Sequence, residues 1–131
     1  FRSIVSLAGQ VETYLYEPNA SILKAGAFRS LTQAYPVKKL HVNSHLYTSS
    51  SFVADFPGRK FKVESVTGFG KKELKAFLQN LEKANLTVRN FPSSVAELRK
   101  RLKLKEGGED YIFATTLSDG QKVLIRGRKV N

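Results

Sequence analysis

The chain reads KFKVESV at residues 60–66, so that polar and apolar side chains alternate with a period of two residues. This alternation is typical of a β-strand with one covered face. A turn with two glycines follows, and apolar side chains then recur at helical spacing, which predicts an amphipathic helix over residues 71–84. The junction decides the fold because the change of period marks a strand followed directly by a helix. The apolar positions of the helix are Leu74, Phe77, Leu78 and Leu81.

Toward the C-terminus the alternation of strand and helix continues. Residues 86–90 form a second short predicted strand, which ends before Pro92. The motif SVAE at residues 94–97 matches a capping box, and Leu98 and Leu102 line the helix that it opens. The chain therefore repeats the order strand, turn and helix.

The C-terminal residues carry a strong β-hairpin signal. Two predicted strands, residues 111–117 and 122–126, flank Ser118-Asp119-Gly120, a turn sequence that suits a hairpin. Residues 60–131 are thus predicted to form a β-α-β-α-β-β core. Strands that alternate with helices of this length favour an α+β or α/β sandwich, in which two to three helices cover a mixed sheet.

The N-terminal third is predicted to add one strand and one helix to this core. Residues 11–16 alternate as a strand that Pro18 stops, and Asn19 suits the N-cap of a helix that runs to about residue 35. Residues 36–59 are predicted to be an irregular connection with one short strand near Leu46-Tyr47. The helix has its apolar side chains at Ile22, Leu23, Ala25, Phe28 and Leu31.

Length and charge limit the class of protein. The 131 residues suit one compact domain, and no run of apolar residues is long enough to cross a membrane. Twenty-two Lys and Arg against eleven Asp and Glu leave a net charge of +11, which favours a nucleic-acid partner first and another anionic surface second. Because methionine is absent even at position 1, we expect a processed or excised piece of a longer protein.

The residue types argue against catalysis by these residues alone. Cysteine is absent, which excludes thiol nucleophiles and cysteine-bound zinc. His41 and His45 are four residues apart, but their neighbours favour a loop over a metal-binding helix. No carboxylates pair on a defined face, and no Gly-x-Ser-x-Gly motif occurs. We therefore predict no catalytic residue, no metal and no bound cofactor for this segment.

The loop Gly68-Phe69-Gly70 lies where phosphate-binding loops occur, but it matches neither the P-loop nor the dinucleotide motif. A phosphate held at the following helix N-terminus remains an alternative to a plain glycine-rich turn.

Basic side chains are arranged as a candidate nucleic-acid surface. They crowd the helix that begins near residue 95, alternate along the last strand and decorate the helix of residues 71–84. Such cations can contact successive phosphates, although each cluster alone could equally be ordinary surface charge. Among the aromatic residues, Tyr47 and Phe69 are predicted to be exposed enough for base stacking. The candidate contacts are Arg99, Lys100, Arg101, Lys103, Lys105, Lys122, Arg126, Arg128, Lys71 and Lys72.

The segment YLYEPNASILKAG at residues 14–26 resembles the Glu-Pro-(Asp/Asn) segment of a THUMP-like domain, found at the C-terminal end of Bacteroidetes-type SAM-dependent methyltransferases. Four further stretches fit the same family in order and spacing, so the resemblance covers nearly the whole chain. They are SHLYTS at residues 44–49, DFPGR at 55–59, VRNFP at 88–92 and FATT at 113–116.

The resemblance implies a THUMP-like, ferredoxin-like fold that presents RNA, either tRNA or ribosomal RNA, to a catalytic domain. It implies that residues 1–35 join a missing N-terminal methyltransferase domain. That domain would bind S-adenosylmethionine, since residues 1–131 carry no SAM loop. A cytoplasmic location without a membrane partner is expected.

Two alternatives to RNA binding remain open at this point. The chain could dock on the methyltransferase domain and stabilise it without binding nucleic acid, or it could be an independent small enzyme. The corner Glu17-Pro18-Asn19 could face a neighbouring domain or its substrate. A structural role is favoured for this corner, in which Pro18 stops the strand, Asn19 caps the helix and Glu17 favours the positive end of the helix dipole.

Overall fold

A single seven-stranded sheet organises the part of the chain that the structure describes. The computed structural model describes residues 6–26 and 30–130. The strands are arranged in the order β2-β3-β1-β4-β7-β6-β5, and every pair is antiparallel except β5 with β6. The strands are β1 (Tyr14–Pro18), β2 (Lys38–Lys39), β3 (Tyr47–Ser49), β4 (Gly58–Thr67), β5 (Asn85–Arg89), β6 (Asp110–Thr116) and β7 (Lys122–Val130). The helices are α1 (Ala20–Lys24), α2 (Leu31–Ala34), α3 (Lys71–Leu78) and α4 (Val95–Leu102).

This architecture confirms the predicted mixed sheet with helices and a C-terminal hairpin. The predicted alternation from residue 60 onward appears as β4-α3-β5-α4-β6-β7. The hairpin between β6 and β7 closes through a hydrogen bond from the Leu117 N–H to the Gln121 carbonyl, 2.9 Å long. The described residues hold four helices, against the two to three that were expected, and none of these helices is long and apolar enough to cross a membrane.

Apolar side chains on both faces of the sheet form the core. Helices α3 and α4 pack on one face, where Phe77, Leu98 and Leu102 meet Ile112 and Leu124. A second cluster of buried side chains covers the other face of the central strands, and a third cluster lies near β1. The central cluster on the second face includes Leu15, Leu40, Leu46, Phe61, Phe113 and Ile125, and the cluster near β1 includes Tyr16, Leu31, Tyr47, Val53 and Phe56.

The N-terminal strand differs from its prediction, because β1 includes Pro18 instead of ending before it. Pro18 is the last residue of the strand and lies opposite Gly58 in β4. A Cβ on Gly58 would lie 2.0 Å from the Glu17 carbonyl oxygen, so only glycine permits this approach of the two strands.

The prediction of a single helix over residues 19–35 is also wrong. Two short helices occur instead, and α1 ends just before Gly26, whose φ of +71° does not continue a helix. Asn19 occupies the N-cap position, but its side chain makes no capping hydrogen bond. The predicted apolar position Phe28 lies outside the described residues.

Two further elements differ in length from the prediction. Helix α3 ends at Leu78 and not near residue 84, and Asn80 then adopts a left-handed φ of +62°. The Ala84 N–H donates instead to the Lys105 carbonyl, which ties the segment after α3 to the segment that follows α4. The stretch of residues 36–59 contributes two short strands, β2 and β3, and the first two residues of β4, where one short strand was expected near Leu46-Tyr47.

Candidate nucleic-acid interface

Helix α4 begins at the predicted capping box. The Ser94 hydroxyl accepts from the Glu97 N–H at 3.1 Å, and the Glu97 carboxylate accepts from the Ser94 N–H at 2.9 Å. The hydrogen bond that the Glu97 carboxylate accepts from the Ser94 N–H, followed by one with the Ser94 side chain, lowers the pKa of Glu97, because both stabilise its charged form. With Leu98 and Leu102 buried against the sheet, the other side of the helix carries its cations outward.

Arg99 is the exception among the α4 cations. Its Nη1 donates to the Ala84 carbonyl at 3.2 Å and the Leu104 carbonyl at 3.4 Å, and the residue is half-buried. The guanidinium thus ties the end of α4 to the start of β5. Arg99 therefore serves the fold, although the sequence made it a candidate phosphate contact.

The exposed cations of the helical layer have no acidic partner among the described residues. Lys71 and Lys72 lie on the first turn of α3, and Lys100, Lys103 and Lys105 lie on α4 and its exit. No ion pair within the described ranges involves any of these five ammonium groups. Since α3 and α4 pack on the same sheet face, this one layer displays the five lysines, which we call the lysine layer.

The N-terminus of α3 already has an acidic partner. The Glu73 side chain accepts a hydrogen bond from the Gly70 N–H at 3.0 Å. A carboxylate therefore occupies the place where a phosphate would meet the helix dipole. The glycine segment of residues 68–70 is therefore a connection between strand and helix and not a phosphate-binding loop. Lys71 and Lys72 remain candidates for phosphate contacts on the protein surface.

The cations of the last strand divide into two groups. Arg126 contacts Asp110 at 3.0 Å, and Arg128 lies within 4 Å of acidic oxygens of Glu64, Glu109 and Asp110. Lys122, at the opposite end of β7, is exposed and has no ion pair within the described part of the chain. Arg126 and Arg128 are thus largely neutralised by their neighbours, whereas Lys122 retains an accessible charge.

The predicted exposed aromatic residues also divide. Tyr47 is fully buried, so the sequence-based expectation of an exposed ring is wrong, and this burial raises the pKa of its phenol. Phe69 is half-buried and packs against Phe91, with ring centroids 5.6 Å apart. The Arg101 guanidinium lies 5.1 Å from the centroid of Phe69, which gives a cation–π contact.

The Glu17 corner is an ion-pair cluster inside the fold. The Glu17 carboxylate is almost fully buried and accepts from Arg59 at 2.6 Å and from Arg89 at 2.7 Å. Arg59 also lies 5.4 Å from the ring centroids of Phe61 and Tyr111. The carboxylate therefore meets two arginines and not the positive end of a helix. These contacts tie Glu17 into the fold by ion pairs, and not through the helix cap and helix dipole that the sequence suggested.

A depression that sequence reasoning missed lies at the carboxyl ends of the parallel strands β5 and β6. It has a volume of about 550 Å³. The sequence predicted that His41 lies in a loop. It did not predict the contact of His41 with Asn90, because the two residues are 49 positions apart. Only the strand–turn pattern at residues 86–92 pointed to this end of the sheet. The lining residues are His41, Asn90, Phe91, Pro92, Thr116 and Lys122.

His41 and His45 lie on either side of a turn at residues 42–44 and not on one helical face. Within the described ranges, no three His, Asp or Glu side chains come together in a way that could hold a metal ion.

Comparison with known proteins places both halves of the chain. A ferredoxin-like domain model matches residues 14–57, and a THUMP domain-like model matches residues 58–129. The architecture is therefore a ferredoxin-like segment joined to a THUMP-like segment within one sheet. The second match spans more than half of the chain, and the protein belongs to the THUMP-like family.

A solved structure extends this result. The chain is similar to a putative methyltransferase from Porphyromonas gingivalis W83, with 41% sequence identity and a TM-score of 0.90. The similarity covers 98% of this chain and 32% of that protein, so the chain corresponds to about a third of the relative's length. A comparison with the curated proteins found no match.

Proposed function

We propose that the protein is an RNA-binding accessory domain that presents RNA to a SAM-dependent methyltransferase domain. The lysine layer is the observation that carries this proposal. Its five lysines lie on α3, on α4 and at the exit of α4, and none has an acidic partner among the described residues. A THUMP-like chain with this surface is suited to bind a polyanion.

The physical basis is phosphate neutralisation. Each lysine that contacts a phosphate releases counterions, which gives binding that depends on salt and is largely independent of sequence. Lysine suits this role because its ammonium group is a compact, hydrated point charge on a flexible stem. The total charge of +11 adds long-range attraction of an RNA strand.

The methyltransferase part of the proposal rests on the similarity to one third of the Porphyromonas gingivalis protein. In this proposal the cofactor S-adenosylmethionine is bound by a domain outside residues 1–131, and the parent protein acts in the cytoplasm. The domain described here contributes RNA affinity and orientation, while the other domain contributes the methyl transfer. The substrate is tRNA or ribosomal RNA.

The experiment is a titration of labelled tRNA and ribosomal RNA fragments at low and high salt. The test variant is the triple reversal K100E/K103E/K105E, which lowers the net charge by 6, from +11 to +5. We expect weaker binding and a slope of log K against log salt that is flatter by roughly one unit per lost phosphate contact.

A matched control separates surface location from net charge. The triple reversal K24E/K62E/K129E makes the same change of 6 charges at exposed lysines outside the lysine layer. We expect this variant to bind RNA more tightly than the test variant. Equal weakening in both variants would assign the binding to net charge, and no binding of the unmodified protein at low salt would refute the proposed function.

Docking on the methyltransferase domain without RNA binding is the second candidate. The comparison with the Porphyromonas gingivalis protein favours it, since nearly the whole chain matches about a third of that longer protein. It predicts that the protein ignores RNA at low salt but associates with the separately expressed remainder of the methyltransferase. Analytical ultracentrifugation of the mixture distinguishes this result from RNA binding.

A further inference from the structure

The depression at His41, Asn90, Phe91 and Lys122 has the position of a ligand site. Strands β5 and β6 are the parallel pair of the sheet, and both end at this depression. Ligands of sheets with parallel strands bind preferentially outside the carboxyl ends of those strands. The lining residues come from three distant segments, which only the folded chain brings together.

The wall of the depression is held in a defined shape. Asn90 adopts a left-handed conformation with φ of +57°, and its carbonyl accepts a 2.6 Å hydrogen bond from the Thr116 hydroxyl. The Asn90 side-chain Nδ2 lies 3.3 Å from His41 Nδ1 and 3.4 Å from Ser44 Oγ. Ser44 is itself fixed by a 2.8 Å bond to the Thr116 carbonyl. These bonds fasten the turn after β5 to the loop of residues 41–44.

The same bonds leave specific polar atoms available. His41 Nδ1 accepts from the Asn43 N–H at 3.0 Å and faces the Asn90 amide, so the ring proton lies on Nε2. Within the described part of the chain, His41 Nε2 and Asn90 Oδ1 have no hydrogen-bond partner. The residues that line the depression therefore offer one donor and one acceptor, and Lys122 also lines it.

Phe91 adds an aromatic surface to these polar atoms. Its ring contacts Phe69, and Phe69 in turn lies beneath the Arg101 guanidinium. Both rings are half-buried, and Phe91 also lines the depression. Aromatic rings combined with nearby cations are the combination on which unpaired bases stack, because every base has a π face.

We propose that this depression binds one unpaired nucleotide of a single-stranded RNA. Its base stacks on Phe91, the base edge exchanges hydrogen bonds with His41 Nε2 and Asn90 Oδ1, and a phosphate contacts Lys122. The inference rests on the proposed RNA-binding function and adds the structural class of the RNA. The lysine layer holds the rest of the strand, and the depression selects for an unpaired position.

The test compares a short fluorescent single-stranded RNA with a duplex of the same sequence, using the 131-residue chain. The variants are F91L, which keeps an apolar side chain but removes the π face, and F91Y, which keeps the ring. We expect the unmodified protein to prefer the single strand, F91L to bind that strand roughly tenfold more weakly, and F91Y to stay close to the unmodified protein.

A second pair of variants does not touch the core. K122E reverses the charge at the depression, and K129E makes the same change on the same strand, seven residues or roughly 23 Å away. We expect K122E to weaken single-strand binding more than K129E does. Thermal unfolding of each variant checks that the fold is intact.

The outcomes separate this inference from the proposed function. Single-strand preference lost in F91L and K122E, but kept in F91Y and K129E, supports the nucleotide site. Two results would overturn the nucleotide site and leave the proposed RNA binding intact. One is equal binding of the duplex and the single strand by the unmodified protein. The other is that F91L binds as F91Y does and K122E binds as K129E does. Absence of any RNA binding by the unmodified protein overturns both proposals together.

Discussion

The two faces of the sheet use their positive charges differently. On the face opposite the helices, Arg59 and Arg89 hold the buried Glu17 carboxylate through contacts of 2.6 and 2.7 Å. On the helical side, the lysine layer is exposed and has no acidic partner within the described ranges. Arginine suits the first role because its planar fork binds a carboxylate in fixed geometry, and lysine suits the second because its charge stays hydrated.

This difference shows that the net charge alone does not indicate which cations are available to bind a partner. Arg99, Arg126 and Arg128 add to the surplus of +11, yet carbonyl or acidic oxygens of the same chain engage all three. The accessible part of the surplus is carried mainly by lysine. Variants should therefore separate the two groups, with large losses of stability around Glu17 and losses of RNA affinity on the lysine layer.

The largest expected loss of stability comes from G58A. The added Cβ would lie 2.0 Å from the Glu17 carbonyl oxygen, so β1 and β4 must move apart beside the ion-pair cluster. We expect a loss of about 3 kcal/mol or more in the free energy of unfolding, measured with urea. The control is G9A, since no heavy atom lies within 4 Å of a Cβ there. Equal losses in both variants would contradict the close approach.

E17Q is expected to cost less than G58A. Glutamine keeps the shape of Glu17 but removes the charge that pairs with Arg59 and Arg89. We expect about 2–3 kcal/mol, below the range for fully buried pairs, because both arginines are partly exposed. The control E64Q breaks an exposed contact with Arg128 and should cost at most about 0.5 kcal/mol. A loss for E17Q as small as that for E64Q would show that the cluster is not structural.

The smallest effect is a dependence on pH at His45. Burial, followed by the charges of Lys39 and Arg89, lowers the pKa of His45 from its ordinary value of 6.5. The unfolded chain therefore takes up the proton first, so this contribution to stability is complete above pH 6.5, falls as the pH is lowered from 6.5 toward the depressed pKa, and levels off below it.

The variant that tests this is H45N, because asparagine tolerates the left-handed φ of +50° at this position. We expect urea unfolding of the unmodified protein to show a loss of stability below pH 6.5, and H45N to reduce that loss. An unchanged pH profile in H45N would rule out His45 as the source.

The sequence predicted the helical side of the molecule better than the corner near Glu17. Local signals are strong at residues 60–66 and 94–97, and β4 and the capping box of α4 appear there. The partners of Glu17 could not be predicted, since Arg89 is 72 positions away and only the folded sheet brings it near. Arg99 and Lys100 are adjacent in the sequence, and only the contacts of Arg99 with distant carbonyls separate their roles.

The ladder between β1 and β4 crosses the boundary at residues 57 and 58 between the two matched family segments. A cut at this boundary would leave β4 with an unpaired edge and would remove Leu15 from the cluster that contains Phe61. The two segments are therefore expected to be inherited and rearranged as one module. A gene fusion that transferred only one of the two segments to another protein would transfer an incomplete sheet.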